Sequence, residues 1–174
     1  SYHTVSEHIL VFHPIFCQTG IISTTHSEYP VSFRIHGFSA QKSCKGINIY
    51  NPSTGNFRFL GHEEGIPGSL PAGAVRKVFC SSRGEIWVGT DGGGLSRYHN
   101  ITGRFSHYTC DPNDPSTISS NSVRAIYEDT TGIFWIGTRN GLNRFDPKSG
   151  KFKRYFADPA NSSSLSNNFI YSAL

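Results

Sequence analysis

A repeat, more than any single motif, limits what this chain can fold into. The segment "VRKVFCSSRGEIWVGT" at residues 75–90 returns 48 residues later as "VRAIYEDTTGIFWIGT" at 123–138, with Val, Arg, Gly, Trp, Gly and Thr in register. Both tryptophans of the chain, Trp87 and Trp135, occupy one slot of that repeat. A second piece occurs three times, as "GINIYNPSTGNFRF" from Gly46, "GLSRYHNITGRFSHY" from Gly94 and "GLNRFDPKSGKFKRY" from Gly141, at spacings of 48 and 47. A third element places Leu70, Ile118 and Leu165 at the same two spacings. Self-similarity at a fixed period of this length marks an architecture in which each repeat is one supersecondary unit stacked on the next.

The unit itself reads as four strands. Residues 121–129 predict a first strand, with Val123, Ala125 and Tyr127 on one face and Arg124 and Ile126 on the other. Residues 130–132 turn the chain into a second strand at 133–138. Asn140 and Gly141 suit the tight hairpin turn that follows, because it needs positive φ. Residues 142–146 and 151–156 supply the third and fourth strands. Four short strands in a unit of this size make a propeller blade. No segment carries a helix-length apolar pattern, which argues against the helical repeats. The expected fold class is therefore all-β, built of β-propeller blades that are four-stranded antiparallel sheets.

The glycine run in "GTDGGGLSRY" raises the question of a phosphate-cradling loop. Such a loop needs a Lys and a Ser or Thr opening a helix, and Leu95, Ser96, Arg97 and Tyr98 continue as a strand instead. Within the repeat, Trp87 and Trp135 are expected to pack between neighbouring blades. Gly89 and Gly137 would let backbones approach, and the Thr90 and Thr138 hydroxyls would tie a local turn. A ligand-stacking role for the tryptophans is the alternative.

Composition excludes several classes of function. With 36% hydrophobic residues and no apolar run of 18, no helix here crosses a membrane. The opening "SYHTVSEHIL" lacks the basic flank and apolar stretch of a signal peptide. A net charge of +4, spread over the repeats, gives no clustered stripe for nucleic acid. The densest basic group, Lys148, Lys151, Lys153 and Arg154, reads as a solvated face, with an anion patch as the alternative. Cys17, Cys44, Cys80 and Cys110 have no zinc-type pairing and read as isolated small apolar residues, with a disulfide as the alternative. Asp129 and Asp146 stand at strand ends, where a short carboxylate bonds the backbone two residues on. No nucleophile elbow, paired carboxylates or metal pattern is present, so catalytic residues, cofactors and metals are all expected to be none.

The run "VRAIYEDTTGIFWIGTRNGLNRFDPKSGKFKRYFADPANSSSLSNN" resembles the two-component regulator propeller repeat, nearly throughout residues 123–170. Residues 66–122 match except that Cys80 and Ser81 replace the usual acidic pair and "DGGG" is one residue longer than "RNG". Residues 51–57 carry its final turn, whereas residues 1–45 depart from it, with Ser39 where the tryptophan motif would fall. The resemblance implies a partial propeller, or a fragment of a seven-bladed ring. Residues 1–45 would be a degenerate blade or an unrelated leader, 46–65 the end of the first recognisable blade, 66–112 the second and 113–160 the third. Residues 161–174 would be the linker and first strand of the next.

Proteins with this repeat form the periplasmic sensor regions of hybrid two-component system histidine kinases and response regulators. The resemblance thus implies a sensor that recognises oligosaccharides to control polysaccharide utilisation, with no enzymatic chemistry in this segment. A protein-interaction scaffold is the second reading and a polysaccharide lyase or hydrolase the third. Expected partners are an oligosaccharide, and the remaining blades of the propeller or a second protomer. No nucleic acid is expected, and membrane attachment only through an absent downstream segment. The ligand-binding residues proposed from sequence are Arg76 and Arg124 on first strands and the turn residues Asp91, Arg139 and Asn140. Hydrogen bonding between blades is the competing role for the two strand arginines.

Overall fold

A computed structural model describes residues 32–35, 38–43, 45–51 and 56–172. Cys17, Cys44 and whatever residues 1–31 form lie outside the described residues. The described residues form twelve strands: β1 (Ser32–Ile35), β2 (Phe38–Ser43), β3 (Gly46–Asn51), β4 (Asn56–Gly61), β5 (Val75–Cys80), β6 (Ile86–Thr90), β7 (Leu95–His99), β8 (Arg104–Tyr108), β9 (Val123–Glu128), β10 (Phe134–Thr138), β11 (Gly141–Asp146) and β12 (Lys151–Tyr155). They form three sheets in the orders β1-β2-β3-β4, β5-β6-β7-β8 and β9-β10-β11-β12. Every pairing is antiparallel. Among the described residues there is no helix.

The repeated residues hold equivalent places. Trp87 pairs with Phe79 and Arg97, and Trp135 pairs with Tyr127 and Arg144. In the first sheet the matching position is Ala40, which pairs with Ile49, so the tryptophan slot falls at Ala40 and not at Ser39. The turn after the second strand is one residue longer in the middle sheet, so the slot stands seven residues before Gly94 and six before Gly46 and Gly141.

The threonine after each Trp-x-Gly staples its turn. Thr90 Oγ1 donates to the Gly94 carbonyl at 3.2 Å and accepts from Gly93 N at 3.1 Å. Thr138 Oγ1 donates to the Gly141 carbonyl at 2.9 Å and accepts from Asn140 N at 3.0 Å. Both side chains are buried, so these bonds satisfy a hydroxyl that water does not reach. Gly141 has φ 100°, the conformation its turn demands.

The acidic pair missing from the middle sheet is replaced by a division of labour. Asp129 accepts Thr131 N at 2.9 Å and Ile133 N at 3.2 Å through Oδ1, and Trp135 Nε1 at 3.0 Å through Oδ2. Ser81 stands in its place and accepts Glu85 N at 3.1 Å, while Glu85 takes the Trp87 indole N–H at 3.3 Å. A carboxylate four residues further along thus serves the tryptophan that Ser81 cannot reach. Asp146 Oδ1 likewise accepts Lys148 N at 2.9 Å, as expected of a short carboxylate at a strand end.

Two cores lie between sheets. An aliphatic one contains Ile47, Ile49, Leu60, Leu70, Val75, Val78, Ile86 and Val88, closed by Tyr98 and Phe105. An aromatic one centres on fully buried Trp87, whose ring centroid is 5.1 Å from Phe134, 5.5 Å from Phe145 and 5.8 Å from Tyr108. Ile118, Val123, Ile126 and Ile136 complete it. The second face of the third sheet carries half-buried Trp135 beside Tyr155, with Tyr127 and Phe156 exposed. Tyr127 is therefore on the open side, and Ala125 and Ile126 are buried together, contrary to simple alternation. A blade has neighbours on both faces, so the inside/outside rule of a one-sided sheet does not apply to it.

Arg154 departs from the solvated face expected of the basic group around it. Its Nη2 donates to the carbonyls of Asp111 and Asp114, and its Nε to that of Thr117 at 2.8 Å, pinning the loop between the second and third sheets. Cys110 is a free thiol, and Cys80 Sγ lies 3.3 Å from the Ser81 carbonyl.

Candidate functional site

The first strands of the second and third sheets run beside each other, β5 against β9, and the arginines proposed from sequence sit on them. Each lies where the register slips by one residue. Val75 pairs with Thr90 and Lys77 with Gly89, so the ladder steps over Arg76. Thr138 pairs with Val123 and Gly137 with Ala125, so it steps over Arg124 in the same way. An extra residue in a strand bends the backbone and re-aims its side chain, and here it turns both guanidiniums toward the loops at one end of the sheets.

Those guanidiniums converge on Asp91, in the turn between β6 and β7. Arg76 donates to Asp91 Oδ2 from Nε at 3.2 Å and Nη2 at 2.8 Å. Arg124 reaches the same oxygen across the seam between sheets at 3.1 Å, and Ser122 Oγ donates to Oδ1 at 2.6 Å. The Ser122 hydroxyl and the Arg76 guanidinium, opposed by desolvation and aided by both arginine charges, hold the Asp91 carboxyl below the usual carboxylate range. Asp91 is thus an ionised bridge between two blades, and its ion pair with Arg124 fulfils the inter-blade role weighed against ligand binding.

Arg139 occupies the turn equivalent to that of Asp91, in the third sheet. Its backbone N–H bonds the Ser122 carbonyl at 3.0 Å, as Asp91 N bonds Ala74 O at 2.9 Å. Its guanidinium carbon lies 5.9 Å from the Phe169 ring centroid, the same distance as that of Arg124. Arg76, Asp91 and Arg124 therefore meet at the seam between the second and third sheets, and Arg124 and Arg139 flank Phe169 at the next. Asn140 is exposed, its backbone N–H held by Thr138.

Phe169 is the site residue that sequence reasoning missed. It stands 47 residues after Ser122, in the same repeat slot, and the exchange of a small polar residue for an aromatic ring was the available signal. Tyr171 lies beside it, ring centroids 4.6 Å apart and tilted by 44°, and is largely exposed.

Other constellations are accounted for locally. Ser96 and His107 lie 3.0 Å apart, but Ser96 is buried and the other imidazole nitrogen faces the Pro67 carbonyl, so the pair presents no accessible nucleophile. Among the described residues no group of His, Cys, Asp and Glu is placed to hold a metal. A cavity of about 190 Å³ lies between Arg58, Leu60, Ile66, Arg104 and Phe105, at the outer strands. It falls below the roughly 300 Å³ at which ligand pockets begin, and none of the residues named from sequence lines it.

Residues 117–140 match the family model of the two component regulator propeller. Among solved structures, the extracellular domain of a hybrid two component system from B. thetaiotaomicron aligns with a TM-score of 0.70 at 22% identity, over 84% of this chain and 20% of that one. The extracellular domain of a one component system from the same organism aligns with a TM-score of 0.56 at 19% identity, over 88% and 27%. Virginiamycin B lyase from Staphylococcus aureus aligns with a TM-score of 0.52 at 20% identity, over 82% and 42%. The chain spans less than half the length of each of these. A search of curated proteins gave no match. The three sheets are β-propeller blades, and the chain corresponds to part of a propeller.

Proposed function

We propose that this chain is a ligand-sensing stretch of β-propeller from the extracytoplasmic, periplasmic region of a hybrid two-component regulator, recognising oligosaccharides and so controlling the use of polysaccharides. The observation that carries the reading is the meeting of Arg76, Asp91 and Arg124 at one seam of the repeat and of Arg124 and Arg139 around Phe169 at the next. Blade-end loops contributed by several repeats are where a propeller presents side chains to a small ligand. The segment would supply recognition and leave phosphoryl chemistry to other parts of the regulator. Isothermal calorimetry against a panel of neutral and acidic oligosaccharides tests this. Saturable binding that Arg139→Ala and Asn140→Ala weaken, at an unchanged melting temperature, is the expected result. A panel that neither binds nor shifts the melting temperature contradicts the reading.

A second reading, a protein-interaction scaffold, draws on the outer strands, where Phe57 and Phe59 of β4 and Ile101 after β7 are exposed. Recovery of a protein partner whose binding is lost on Phe57→Ser, with no glycan response, favours it over the first.

A further inference from the structure

The two successive seams use the same repeat slots, with the sign of one slot reversed. At the first, Asp91 faces Ser122 and pairs with Arg76 and Arg124. At the second, Arg139 holds the Asp91 slot, Phe169 the Ser122 slot, Arg124 the Arg76 slot and Tyr171 the Arg124 slot. The backbone is equivalent at both, since Gly94 N bonds Asn121 O at 2.8 Å and Gly141 N bonds Asn168 O at 2.6 Å. The carboxylate is missing, and aromatic rings stand in the two slots that Ser122 and Arg124 fill at the first seam. Among the described residues Arg139 forms no ion pair, and Arg124 Nε is buried with no hydrogen-bond partner.

We propose that Arg124 and Arg139, set around the Phe169 ring, bind the acidic group of a sugar, a carboxylate or a sulfate, which takes the place that Asp91 fills at the neighbouring seam. This deepens the oligosaccharide reading above and rests on it. Two planar guanidiniums held against one ring have lost much of their rotamer freedom before a ligand arrives, which favours forked hydrogen bonds to an oxyanion. The exposed Tyr171 ring, packed on Phe169, offers an apolar surface for the face of a pyranose. Arg124 also remains tied to Asp91, so its position does not depend on the ligand.

The test compares trigalacturonate, a carrageenan-derived disaccharide bearing sulfate, and unsubstituted galactotriose, each titrated calorimetrically into the 174-residue protein. At least one acidic probe should bind with galactotriose at least tenfold weaker, and whichever acidic probe binds identifies the group. Arg139→Gln should weaken that binding about tenfold or more, as loss of a charged hydrogen bond does, and Arg139→Lys should restore it in part. Arg139→Asp, which puts a carboxylate back in the Asp91 slot, should abolish binding while leaving the melting temperature unchanged or higher. Galactotriose binding as well as the acidic probes, or Arg139→Gln without effect, overturns the acidic-sugar proposal and leaves the oligosaccharide reading standing. Binding of none of the three overturns both.

Discussion

Gly89 lies so close to Val123 of the next blade that a Cβ on the glycine would stand 2.6 Å from Val123 Cγ1. Gly137 bears the same relation to Ile170, at 2.5 Å. The glycine of Trp-x-Gly-Thr is thus the point where the second strand of one blade touches the repeat that follows, and it fixes their spacing. Neither glycine is needed for its φ; the requirement is space. Gly89→Ala should destabilise the protein by about 1–3 kcal/mol, the usual cost of overpacking a tight contact, read as a lowered urea midpoint with unchanged slope.

The two tryptophans differ in what covers them. Trp87 is sealed by Phe134 and Phe145 of the third blade, whereas Trp135 packs on Tyr155 of its own blade and stays half-buried. Trp87→Ala should cost about 3–5 kcal/mol, in the range for emptying a buried aromatic site, and Trp135→Ala clearly less. Chemical denaturation of both variants measures the difference.

The Asp91–Arg124 pair joins two blades with side chains 22% and 16% exposed. A double-mutant cycle with Asp91→Asn and Arg124→Gln should give a coupling of about 0.5–1 kcal/mol, because the pair is partly solvated and Arg76 remains to share the carboxylate. Equal melting of all four proteins would show that the pair does not hold the seam.

Acid should weaken the third blade through Asp129. The Thr131 hydroxyl first, then the Trp135 indole and the backbone N–H groups of Thr131 and Ile133, lower its pKa from 3.8 to about 2 against the opposing effect of desolvation. A carboxyl depressed on folding contributes stability that is full above its unfolded value near 4 and is lost as pH falls toward 2. The melting temperature should therefore drop through that window, and Asp129→Asn should flatten the drop while leaving the shape of the curve above pH 5 unchanged.

The four strands of the third blade were legible in the sequence because each apolar run ends at a Gly or Asp turn with a local mechanism. Thr138 and Asp129 do the work assigned to their residue types within a few positions of themselves. Less legible was anything that depends on the neighbouring blade. Alternation puts Val123, Ala125 and Tyr127 on one face, yet the first two are buried and Tyr127 is exposed, because which face of a blade is covered is decided by the neighbouring sheet. Arg76, Asp91 and Arg124 could be named as candidates, but their meeting at one carboxylate oxygen required two register slips that no periodicity announces. Phe169 escaped notice since its slot holds Ser122 in the preceding unit, and a repeat draws the eye to what recurs.

The stacking of successive blades is tested most directly by acrylamide quenching of tryptophan fluorescence in Trp135→Phe and Trp87→Phe, each leaving one indole. Trp87 alone should emit to the blue and resist quenching, and Trp135 alone should emit to the red and be quenched several-fold more readily. Equal accessibility of the two indoles in folded protein would mean that the third blade does not cover the second.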